Sequence, residues 1–97
     1  MVIDDGISIA SFFPGRLRLK IVKLKGNQRL ARSLEDHLIA IQGIERTETN
    51  TLTGSLLVHY KPKELAHPES RQALSQALTA FFPEVDPVRF SHWLNKL

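Results

Sequence analysis

The chain has 97 residues, 42% of them hydrophobic and 24% charged, with a formal net charge of +3. This composition predicts a single globular domain over residues 1–97 and excludes both a disordered tail and, for want of a run of ~18 apolar residues, a membrane span. The absence of cysteine excludes a disulfide framework, a thiolate metal site and a cysteine nucleophile. The opening "MVIDDGISIA" has two aspartates and no basic stretch, so it does not read as a secretory signal, and the expected location is cytoplasmic.

In chain order, "ISIASFF" alternates apolar and polar residues, and Pro14-Gly15 follows as a bulge or kink leading into a second strand segment. "RLRLKIVKL" sets Leu17, Leu19 and Ile21 against Arg16, Arg18 and Lys20, which predicts a strand with one buried face. After Gly26, Leu30, Leu34, Leu38 and Ile41 recur at helical spacing, with Asn27 as the N-cap and Gly43 as a left-handed glycine closing the helix. "IERTETN" and "SLLVHY" form a hairpin around "NTLTG", where Gly54 takes a positive φ, and Pro62 ends it. A second helix carries Leu74, Ala77, Leu78 and Phe81, with His67 capping its start and Pro83 closing it. The tail, about 86–97, reads as a short helix with Asp86 as N-cap, Pro87 at its first position, and Phe90, Trp93, Leu94 and Leu97 along one side.

This order is β-α-β-β-α, an α/β (α+β) ferredoxin-like split βαβ sandwich with an antiparallel sheet and helices on one face. The fourth strand is weak or replaced by the C-terminal helix, since "PEVDPV" is rich in proline; "ISIASFF" is the other candidate to cover the vacant edge. An uncovered edge would be a site of self-association. The expected core is Leu17, Leu19, Ile21, Leu34, Leu38, Ile41, Leu56, Val58, Leu74, Leu78 and Phe81.

Residues 14–62, with the "PGRLR" start, the helix ending in "GI", the polar strand ending in Asn50, the "TG" turn and the "YKP" strand end, resemble a heavy-metal-associated domain, specifically a divergent branch that often lacks the metal motif. The resemblance implies a ferredoxin-like fold and association with metal homeostasis, as in copper chaperones and the N-terminal modules of metal-transporting P-type ATPases. Members that bind soft metals carry Cys-x-x-Cys at the junction of first strand and helix. Those positions fall near Asn27 and Leu30, neither of which ligates copper(I) or zinc, so no metal or cofactor is expected.

Charge placement supplies the remaining signal. Arg16, Arg18, Lys20, Lys23, Lys25, Arg29 and Arg32 follow one another with no acid between them, whereas the rest of the chain is net acidic. This stretch, with Asn27 at the helix start and Leu57 and His59 on the open sheet face, predicts one electropositive surface for an anion or an acidic protein partner. Solvated surface charge is the alternative. His37, His59, His67 and His92 have no ligand spacing, and Glu35, Asp36, Glu45 and Glu48 read as solvated acids. No nucleotide loop, serine elbow or zinc-protease motif is present, which argues against an enzyme. Nucleic acid is the weaker alternative, because outward positions of the first and third strands hold cations, Leu57 and His59 rather than stacking aromatics. The expected function is a non-enzymatic docking or regulatory module, its partner an acidic protein surface such as a transporter domain, or a second copy.

Overall fold

A computed structural model describes residues 2–4 and 6–95, with nothing described for the side chains of residues 2–4, Pro87, Phe90 and Ser91. Leu97 and the Phe90 side chain, both expected on the tail helix, therefore lie outside the described residues.

The strands are β1 (Val2–Asp4), β2 (Ile7–Phe13), β3 (Arg16–Ile21), β4 (Ile44–Asn50) and β5 (Ser55–Tyr60). The α-helices are α1 (Gln28–Ile39), α2 (Pro62–Leu65), α3 (Pro68–Phe81) and α4 (Pro87–Leu94), with a 3-10 turn at Val22–Leu24. One antiparallel sheet has the order β1-β2-β3-β5-β4. The ferredoxin-like core is β3-α1-β4-β5-α3. The position beside β3, which a C-terminal strand would take in that fold, is filled by β2 from the N-terminus, while the C-terminal segment is the helix α4.

Pro14-Gly15 does not join two collinear segments, as expected above; it reverses the chain, so that β2 and β3 pair from Phe13↔Arg16 back to Ile7↔Ile21. Proline holds φ where the first corner of a turn needs it, and Gly15 has φ +85, the value that the second corner of a type II turn demands. The bulge lies elsewhere: between Ile9 and Ser11 the register slips, leaving Ala10 without a partner on β3.

In β3 burial alternates as the sequence predicts, with Leu17, Leu19 and Ile21 buried and Arg18 and Lys20 exposed. Helix α1 begins at Asn27, whose Oδ1 accepts the Leu30 N–H at 3.1 Å. It ends before Gly43, so that glycine does not close the helix as expected. Gly43 has φ +100 and sits against α2; a Cβ there would lie 2.7 Å from the Leu65 backbone nitrogen. Asp86 caps α4 as expected, accepting the Val88 N–H at 2.9 Å, but His67 makes no side-chain cap for α3.

Every expected core residue is buried except Phe81, which is half-buried. The next residue, Phe82, is 0% exposed. It is the C-cap of α3, with φ −130 and ψ 66, and leaving helical geometry there swings its ring inward. The core also takes in Ile7, Leu24, Ile44, Tyr60, Leu65, Val85, Trp93 and Leu94, so α4 closes one end of it.

Candidate functional site

The core lies on one side of the sheet, leaving the other side as an open face. Strand pairing arranges its outward residues in rows, neighbouring strands being ~4.8 Å apart. The first row runs Phe13, Arg16, His59 and Arg46; the second runs Ser11, Arg18, Leu57 and Glu48; the third runs Ser8, Lys20, Ser55 and Asn50. Phe13, Arg18, Lys20, Arg46 and Glu48 are exposed, whereas Arg16, Leu57 and His59 are half-buried.

Five expected site residues therefore share this face: Arg16, Arg18, Lys20, Leu57 and His59. Two members of the face were not anticipated. Phe13 enters because β2 folds back beside β3. Arg46 enters because a register slip between Ile44 and Arg46 restores outward parity after Glu45, and it pairs with Glu48 two residues on. In the first row His59 lies between Arg16 and Arg46, so two guanidinium side chains flank one imidazole on this face.

The seven basic residues do not form one surface. Arg29 and Arg32 are exposed on α1, which packs on the core side of the sheet, and with Gln28, Ser33 and Asp36 they line a separate shallow surface. Lys23 does not join them at the helix start. Its Nζ lies 2.8 Å from a Glu84 carboxylate oxygen and 5.9 Å from the centre of the Phe82 ring, which ties it to the C-terminal half. Lys25 is exposed and its stem lies beside Gly54, at the β4–β5 turn.

The loop that would hold a soft metal in related folds is built for other purposes here. The N–H groups of Lys25, Gly26 and Asn27 donate to the carbonyls of Val22, Thr51 and Leu24 at 3.1, 2.9 and 3.1 Å. Asn27 caps α1, and Leu30 is half-buried against the core. The side chains offered are lysine, asparagine and arginine, which do not fit copper(I) or zinc, and no cluster of three potential metal ligands occurs among the described residues. Of the histidines, His37 Nδ1 lies 2.8 Å from the Ser33 carbonyl oxygen and its ring meets Phe81 edge-on at 5.0 Å, a structural role.

Glu35 is not the solvated acid it was expected to be. Its Oε1 accepts the Thr49 N–H at 2.8 Å and the Thr49 hydroxyl at 3.0 Å, which joins α1 to the outer edge of β4. Sequence reasoning had no signal for this bond, because Glu35 and Thr49 meet only once α1 lies across β4.

A family model described as heavy metal associated domain 2 matches residues 3–79. No curated protein and no solved structure gives a match. Among the described residues, no helix is long and apolar enough to cross a membrane.

Proposed function

The chain belongs to the heavy-metal-associated domain family, and on that premise we propose that it is a non-enzymatic docking or regulatory module of a cytoplasmic metal-transport system. It binds an acidic protein surface, that of a metal-transporting P-type ATPase domain, through the open face of its sheet. Membership supports a binding module associated with metal transport.

The observation that carries the reading is the Arg16, Arg18 and Lys20 stripe of the central strand β3, set beside Leu57 on a face that no helix covers among the described residues. None of these three side chains is tied into the ion pairs seen among the described residues. A cationic rim around a small apolar contact suits electrostatic steering followed by desolvation. The loop chemistry above gives no thiolate site, so docking rather than metal exchange is the module's task.

The test is binding of the isolated acidic domains of metal-transporting ATPases encoded in the same genome, with a single-stranded oligonucleotide as comparison. The R16E/R18E/K20E variant should keep the fold, because all three side chains point away from the core, and should weaken domain binding by at least roughly tenfold. Unchanged binding would make the stripe merely a solvated surface. Oligonucleotide binding that falls steeply with salt would instead favour the nucleic-acid alternative.

A further inference from the structure

At one end of the sheet the β2–β3 hairpin carries two exposed aromatic rings that the β3 stripe and Leu57 do not explain. Phe12 pairs with Leu17 and Phe13 with Arg16 on either side of the Pro14-Gly15 turn. Successive strand residues point to opposite faces, so the two rings flank the tip from both sides of the sheet. They are 40% and 60% exposed, and Pro14 beyond them is exposed as well. Two adjacent phenylalanines left in water at a turn, where small polar residues would serve, are a cost that folding does not require.

The charges around the tip have one dominant sign. Arg16 shares a rung with Phe13 and Arg18 lies one rung behind. The Tyr60 N–H donates to the Gly15 carbonyl at 2.9 Å, which brings the exposed Lys61 and Lys63 beside the turn. No acid occurs from residue 6 to residue 20. Of the nearby acids, Glu64 lies 3.6 Å from Lys61, and Glu45 sits at the start of β4.

We propose that this hairpin tip is a peripheral membrane contact, which inserts Phe12 and Phe13 into the headgroup region of a bilayer containing anionic lipid. Chemistry selects the occupant: two exposed aromatic rings beside exposed lysines suit an interface that is apolar at one depth and anionic at the next. The turn is level with the end of β5, where Gly15 meets Tyr60 and Pro62, so Lys61 and Lys63 approach the same surface. The cations stand at headgroup level, where an anionic leaflet attracts them, and their stems can lie along the apolar layer. The contact shares Arg16 and Arg18 with the docking stripe but depends on Phe12 and Phe13, which the docking reading does not use.

Flotation of the full chain with vesicles of phosphatidylcholine, with and without phosphatidylserine, tests the proposal. Binding should require phosphatidylserine, weaken with salt, and fall by at least roughly tenfold in the F12S/F13S variant. The Phe13→Trp variant supplies a second measurement: its emission should move to the blue on phosphatidylserine vesicles, against a constant background from Trp93, which is 5% exposed. Absent binding, binding indifferent to phosphatidylserine, wild-type binding by F12S/F13S, or unmoved Phe13→Trp emission would each overturn it. Loss of ATPase-domain binding by F12S/F13S in lipid-free buffer, without vesicle binding by the wild type, would assign the tip to a protein interface instead. Because the docking test is done without lipid, the two readings fail separately.

Discussion

Glu35 on α1 and Thr49 on β4 are joined by two hydrogen bonds to one carboxylate oxygen, at 2.8 Å from the backbone N–H and 3.0 Å from the hydroxyl. β4 is an outer strand of the sheet, and its ladder partner β5 lies on the other side. The Thr49 N–H therefore points where another strand would add, and the glutamate occupies that position. A side chain from the packed helix thus blunts an edge that would otherwise be a template for pairing. This bears on self-association through a sheet edge, which the β-α-β-β-α order suggests: at this point β4 is guarded.

The Glu35→Ala variant should lose about 1.5–3 kcal/mol of stability, the range for hydrogen bonds to a charged group. It should also associate more at high concentration, because the Thr49 N–H is released at the edge. Urea unfolding measures the first effect and sedimentation velocity the second. A variant as stable and as monodisperse as wild type would show that the bonds hold nothing in place.

Tyr60 gives a prediction of opposite sign. Its side chain is 3% exposed, and its hydroxyl has no hydrogen-bond partner among the described residues. Tyr60→Phe should therefore be neutral or stabilising by up to about 1 kcal/mol, since it removes a desolvated group left unsatisfied.

Burial pushes the Tyr60 phenol above its ordinary value of 10.0; the nearby Gly15 backbone, outside hydrogen-bond geometry, offsets this only in part. The unfolded chain loses this proton first as pH rises, so stability is fully present below 10.0 and declines as pH climbs through the raised folded value. The Tyr60→Phe variant should lack that component of the alkaline decline. Chemical denaturation of both proteins at neutral and alkaline pH measures the difference, and parallel losses would contradict the assignment.

The two adjacent phenylalanines at the end of α3 should differ sharply. Phe82, at 0% exposed, should cost about 3–5 kcal/mol on truncation to alanine. It would also leave the Lys23 chain without the ring it lies over. Phe81 is half-buried and meets the exposed His37 edge-on, so Phe81→Ala should cost about 1–2 kcal/mol. Thermal unfolding of the two variants orders them, and equal losses would mean that the turn out of α3 does not carry Phe82 inward.

The sequence by itself determined whatever depends on residues close together in the chain. Alternation in Arg16–Ile21 fixes which side of β3 is buried, because the side-chain period of a strand is two. The spacing of Leu30, Leu34 and Leu38 fixes the inward stripe of α1, and Asn27 and Asp86 cap their helices through bonds spanning two or three residues. The lack of cysteine settles the thiolate question outright.

Only the tertiary structure decided what depends on where the elements meet. Pro14-Gly15 is compatible locally with a kink or a reversal, and it is the vacant edge of β3 that β2 folds back to fill. That choice sets Phe13 on the open face and puts the aromatic tip at the end of the sheet. Strict alternation from Ile44 would turn Arg46 inward, but a register slip near Ile44 adds one residue before the alternation resumes, and Arg46 faces outward. Continuity along the chain made the run from Arg16 to Arg32 look like one patch. Strand β3 presents its cations away from the core while α1 packs on the core side, so the sheet itself divides them, and Lys23 is drawn off by Glu84, a residue sixty-one positions away. Gly43 and Glu35 follow the same logic: each is explained by a segment, α2 or β4, that reaches it only when the helix layer closes over the sheet.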